Sequence, residues 1–191
     1  MLPETRMDTR TRIAEAAMAV LVATPDRRLG ITVLNKALFY ADLCALRDVG
    51  QTVTRSGYIA LPQGPVLNHY ERAIVRTLEA LGWAEQTKDG MEKPMIVRSE
   101  PEGFSLLSKD EVGITQLVSR KIHHRTASWV SDYSHENKAW EIAFREKTGA
   151  PINLMLAMQQ VLEDDPWMSK RDDSELIACL QSAEKDTGVP F

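Results

Sequence analysis

The stretch from Ile31 to Ala45 most restricts what this chain can become. Ile31, Leu34, Leu38, Ala41 and Ala45 recur at the three-and-four spacing of one helical face. Val33, Ala37, Tyr40 and Cys44 widen that face until little is left for water. A helix apolar almost all round must be packed by neighbours on several sides, so the rest of the chain has to wrap it. Asn35, Phe39 and Asp42 form the narrow remaining stripe, one above another along the axis. A buried Asn or Asp needs hydrogen-bond partners, and these must come from elsewhere in the chain or from another protein.

The other segments read as cover for that helix. Asp8 or Thr9 is placed to cap a first helix with Ile13, Ala17, Val20 and Leu21 inward, after a loose lead-in over residues 1–7 and before a stop at Pro25. Asp26-Arg27-Arg28 reads as a charged turn. Thr32 is the expected N-cap of the central helix and Gly50 its C-terminal stop. Thr52–Thr54 and Tyr58–Ala60 suit short strands. Leu61-Pro62-Gln63-Gly64-Pro65 fixes an irregular backbone, with Pro65 opening a helix that runs through Leu67, Tyr70, Ile74, Leu78 and Leu81. Trp83 to Val97 reads as a β-hairpin turning at Asp89-Gly90. Ser108 and Glu111 form a capping box, stapled by Leu107 and Val112, for a helix with Ile114, Leu117, Val118 and Ile122 inward. Thr126 starts a short helix, and residues 134–137 restart the chain into another ending before Gly149. An amphipathic segment over 153–162 and a last helix around Leu176, Ile177 and Leu180 form a C-terminal extension over about 151–186. The sum is a mainly α single domain, residues 1–191, with a small β-hairpin.

The chemistry is sparse. Ser134, His135 and Asp132 invite a nucleophile-and-base reading, but triads are assembled across a fold rather than within one short run. Ser134 is better placed as a helix cap and Asp132 as a turn acceptor. No phosphate loop, dinucleotide fingerprint or metal spacing is present, so no cofactor and no metal are expected. Cys44 and Cys179 read as reduced, buried thiols of a cytoplasmic protein. No apolar run reaches the length of a membrane span. The net charge of -4 argues against a broad nucleic-acid footprint and leaves room for a local basic patch. One such run is Arg120, Lys121, His123, His124 and Arg125. Its simpler account is complementarity to a helix C-terminus, and its functional account is a patch for an acidic partner.

Three ordered stretches carry a family resemblance. Leu34-Asn35-Lys36-Ala37-Leu38-Phe39-Tyr40-Ala41-Asp42 resembles the first signature of the Panacea domain family, the SocA-like and phage-associated GepA-like proteins. Tyr58 to Val66 resembles the second, and Trp129 to Glu136, followed by Trp140, the third; together they lie within residues 31–145. Family members usually carry an aromatic residue where Gln63 stands. The resemblance implies an antitoxin that neutralises a cognate toxin by direct protein binding, without enzymatic activity. In the SocA-like branch it further implies an adaptor that hands the toxin to the ClpXP protease. The residues it singles out are Asn35, Tyr40, Asp42, Tyr58, Pro62, Gly64, Pro65, Trp129, Asp132, Ser134, His135 and Trp140. From the residues themselves we expect Tyr40, Asp42, Tyr58, Asp132 and His135 to meet and satisfy one another around the Pro62–Pro65 loop. The Leu- and Met-rich segment from Pro151 to Trp167 is the expected partner surface, with Met158, Trp167 and Met168 exposed and Leu154 and Leu156 in the core. The alternatives are a DNA-binding autoregulator of winged-helix type, built on the hairpin and the helix bearing Arg72 and Arg76, and a hydrolase centred on Asp132 and His135.

Overall fold

The computed structural model describes residues 3–88 and 93–163. In chain order it runs α1 (Pro3–Val22), β1 (Arg28–Gly30), α2 (Ile31–Val49), β2 (Tyr58–Leu61), β3 (Gly64–Leu67), a π-helical turn (Glu71–Val75), α3 (Arg76–Ala80), β4 (Ala84–Gln86), β5 (Pro94–Val97), α4 (Lys109–Ile122), α5 (Ala127–His135), α6 (Lys138–Glu146), α7 (Leu154–Ala157) and α8 (Gln159–Glu163). The chain is mainly α, as its periodicities require. The Asp89-Gly90 turn, Trp167, Met168, Cys179 and the final helix and tail lie outside the described residues.

Helix α2 is the axle. Every residue from Val33 to Ala45 is buried, including Asn35, Lys36 and Asp42. It packs against α1, α4, α5, α8 and β3, the all-round cover that its composition demands. Gly50 ends it in the left-handed region at φ 78, its N–H closing on the Leu46 carbonyl. The alanines of α1 (Ala14, Ala16, Ala17 and Ala19) are fully buried and let it lie close to its neighbours. Arg12 ties α1 to the capping-box residue Glu111, while Glu15 accepts from the Ser105 and Leu106 amides at 3.0 and 2.8 Å.

Several local expectations give way to tertiary context. The helix expected from Pro65 begins only after His69. Pro65 to Leu67 instead pairs antiparallel with β2, and the Leu67 N–H is drawn off by Asn35 Oδ1 at 3.2 Å. His69, at φ 56, turns the chain into the π-helical turn. Gly30, not Thr32, occupies the N-cap of α2. Thr52–Thr54 is irregular because Thr54 spends its amide and hydroxyl on Asp42. The Asp26–Arg28 turn ends in a strand, β1, which joins the β4–β5 hairpin in a sheet of order β1-β5-β4. Leu117 faces solvent; Thr115 and Ser119 take inward positions by bonding the Glu111 and Val20 carbonyls at 2.7 Å. Helix α1 extends back to Pro3, beyond the expected cap at Asp8 or Thr9.

Candidate functional site

The β2–β3 hairpin brings two of the family stretches together, and α5 and α6 bring the third. Its two-residue turn, Pro62-Gln63, is followed by Gly64 at φ 96. On its other side β2 is bonded by residues 149–152: Gly149 N–H to Ala60 O at 2.7 Å, Ala60 N–H to Ala150 O at 2.9 Å, and Ile152 N–H to Tyr58 O at 2.9 Å. Strand β2 is therefore bonded on both edges, and the hairpin tip is clasped by side chains from α2, α5 and α6.

Two polar nodes result. In the first, Asp42 is wholly buried and accepts from the Thr54 N–H at 2.8 Å, the Thr54 hydroxyl, and the Tyr58 hydroxyl at 2.9 Å. Burial pushes the Asp42 carboxyl up to about 6, against the opposing pull of these bonds. Burial and the adjacent Asp42 charge push the Tyr58 phenol well above its ordinary value. Phe39 seals the node, edge-on to Tyr40 at 5.3 Å and to Tyr58 at 5.1 Å.

The second node surrounds Lys36. Its side chain is fully buried, and Nζ donates to the Pro65 carbonyl at 2.9 Å. Desolvation lowers this ammonium to about 7. Gly64 is wedged here: a Cβ at this position would stand 2.1 Å from Ser134 Oγ and 2.9 Å from Lys36 Cε. Ser134 Oγ donates to the Ser131 carbonyl at 2.7 Å. His135 stacks on Trp140 at 4.1 Å, and Trp140 stacks in turn on Phe144 at 4.9 Å and donates its indole N–H to the Leu61 carbonyl at 3.1 Å. The His135 ring is held below its usual value by desolvation first and the Lys36 charge second, with Asp132 and the Pro62 backbone pulling the other way. Among the described residues its buried Nε2 has no hydrogen-bond partner.

Asp42 and Tyr58 thus meet as expected, and His135 reaches the Pro62–Pro65 loop. Asp132 does not join either node: it lies exposed on α5 and accepts only a long bond from Ser128 Oγ at 3.4 Å. Ser134 sits in the last turn of α5 and caps nothing; Asn137 is the N-cap of α6, accepting from Ala139 and Trp140. Tyr40 turns instead to Gln160 on α8, at 3.4 Å, and Asn137 Nδ2 shares the same acceptor at 2.8 Å. Trp129 is half-buried and stacks on Tyr133 at 5.3 Å. Met158 is half-buried and packed on the core, as are Leu154 and Leu156, whereas Met155 is 62% exposed and Leu162 56%. Lys36 is the residue that sequence reasoning passed over. Its signal was a lysine in the middle of a helix with no solvent face.

The arrangement defines a class: a helical scaffold with an internal polar clasp, in which the Ser134 hydroxyl is turned to a backbone carbonyl rather than to His135. Residues 34–141, more than half of the chain, match the model of the family described as "Antitoxin SocA-like, Panacea domain", and the chain belongs to that family. No curated protein and no solved structure matches it. No helix among the described residues is long and apolar enough to cross a membrane.

Proposed function

We propose that this protein is the antitoxin of a toxin–antitoxin pair, acts in the cytoplasm, and neutralises its toxin by direct protein contact without catalysis. The observation that carries the reading is the family match over residues 34–141. The family stretches are mostly interior, so the toxin must be met by what they leave outside. Ile142 on α6 is 58% exposed and Met155 on α7 is 62% exposed; these two helices pack together, and apolar side chains of this kind suit the centre of a protein interface. Delivery of the bound toxin to ClpXP is the finer version of the same proposal.

The DNA-binding alternative draws little support. The helical segment Glu71–Ala80 interleaves Arg72 and Arg76 with Glu71 and Glu79, and Arg76 is paired to Glu71 at 3.0 Å, so it presents no basic face to a major groove. A hydrolase would need Asp132 and Ser134 to converge on His135, and their hydrogen bonds lead elsewhere.

Co-expression with the growth-arresting product of an adjacent reading frame tests the proposal. Rescue of growth and co-purification of the two chains are expected. Ile142→Asp with Met155→Asp should abolish capture while the melting temperature stays unchanged. Failure of the wild-type chain to rescue would refute the antitoxin reading. A toxin half-life that is unchanged by the antitoxin in cells with active ClpXP would remove the adaptor version alone.

A further inference from the structure

A cleft of about 690 Å3 opens at the amino-terminal end of α2, between β1, the start of β5 and the α4–α5 junction. Among the described residues, the permanent cations Arg28, Lys93 and Arg125 line it with one carboxylate, Asp26. All three are exposed side chains. In a chain whose net charge is -4 this is a local inversion of sign.

Three features concentrate that positive character. The Arg125 guanidinium lies 4.6 Å from the centre of the Trp129 ring, so its position is set by a cation–π contact. A guanidinium held over a ring still has N–H groups to offer a carboxylate. His123 and His124 stand edge to face at 5.5 Å beside it. His124 is held below its usual value by desolvation first, then by the Arg125 and His123 charges. The first turn of α2 also borders the cleft, with a glycine N-cap that supplies no side-chain bond and no acidic residue in that turn. The half-buried Ile31 and Ala127 give the same cleft an apolar side.

We propose that this cleft receives an acidic segment of the partner protein, whose carboxylates engage Lys93 and Arg125 while its aliphatic side chains rest on Ile31 and Ala127. The proposal rests on the reading that the partner is a protein. Nucleic acid is the poorer occupant. Two such cations in an acidic chain make few phosphate contacts, and a bare phosphate would leave the apolar side uncovered.

The test uses a fluorescent dodecapeptide in which Glu alternates with Leu, its Lys–Leu counterpart, and a single-stranded oligonucleotide of equal charge. Only the Glu peptide should bind saturably, shifting the His123 and His124 ring signals in NMR and weakening as salt rises. Lys93→Glu with Arg125→Glu should raise its Kd about tenfold or more, with the fold unchanged because both side chains are exposed. The same double variant should lose growth rescue. Absence of saturable shifts, an unaltered Kd in the double variant, or tighter binding of the oligonucleotide would overturn the proposal. Rescue by the double variant as efficient as by wild type would also overturn it, yet leave the antitoxin reading standing. Failure of wild type to rescue would strike the antitoxin reading instead, with the peptide titration still deciding what the cleft binds.

Discussion

Asp42→Ala should cost most stability in acid and least above neutrality, the reverse of what a salt-bridged carboxylate would give. The carboxyl is wholly buried, and burial raises it from 3.8 to about 6. The folded state therefore holds the proton more tightly than the unfolded one. Stability from the protonated form is fully present below about 3.8 and is lost as pH rises through about 6. At ~1.4 kcal/mol per pH unit the whole loss is about 3 kcal/mol, roughly half of it already spent by pH 5. Near pH 4 the alanine variant forfeits an acceptor shared by the Thr54 amide, the Thr54 hydroxyl and the Tyr58 hydroxyl. That loss is worth about 1–3 kcal/mol. By pH 7.5 the wild type also carries a desolvated charge that the variant lacks, so the difference should shrink by about 2 kcal/mol. Urea unfolding of both proteins at pH 4, 5, 6 and 7.5 measures this, and titrations common to both cancel in the difference. A difference that is flat, or that grows with pH, would refute the desolvation argument. So would an Asp42 side-chain carbon signal that titrates near 3.8.

Further perturbations test the same clasp. Tyr58→Phe removes a donor to Asp42 and should push the Asp42 titration upward from about 6 in NMR, at a cost of about 1–2 kcal/mol by denaturant unfolding. Lys36 is lowered from 10.5 to about 7, so its buried form contributes stability that is present above about 10.5 and lost as pH falls through about 7. Lys36→Met should accordingly gain on wild type as pH falls from 9 to 6, and a gain that instead increases with pH would contradict the burial of the amine. Gly64→Ala combines a left-handed φ with a collision on Ser134 and Lys36, and a loss of about 2–4 kcal/mol in thermal unfolding is expected.

How far the sequence spoke follows from what kind of signal each element carries. Helix α2 was legible because periodicity and near-complete apolarity agree, and the capping box at Ser108 and the Gly50 stop act within a single turn. The burial of Asp42 followed from the narrowness of its stripe, and its partner Tyr58 lay in the next stretch of family resemblance. The strand Gly64–Leu67 was hidden because its apolar spacing also fits a helix. What decides it is long-range: pairing with β2 and the Asn35 bond to Leu67. β1 was hidden in the same way, since three residues pair only because β5 supplies an edge. Asp132 misled because a short polar run reads the same whether its side chains converge or fan out around a helix. On α5 they fan out: Ser131 and Ser134 face inward while Asp132 is exposed.

The clasp also bears on how one scaffold can serve different partners. Asn35, Tyr40, Asp42, Tyr58, Gly64, Ser134 and Trp140 are all buried, so none of them offers a free surface to another protein. What they fix is the pose of the β2–β3 hairpin against α2, with Tyr58 anchored at its base and Gly64 wedged at its tip. Residues exposed around that frame are under no such constraint. Ile142 and Met155 lie on α6 and α7, and Lys93 and Arg125 lie around the amino-terminal end of α2. Substitution there changes a surface without disturbing either polar node, and surface changes of this kind usually move stability by no more than about 0.5 kcal/mol. Partner choice can therefore vary on the outside of a fold whose identity is held on the inside. This explains why the buried residues among those that declare the family are poor guides to what the protein touches.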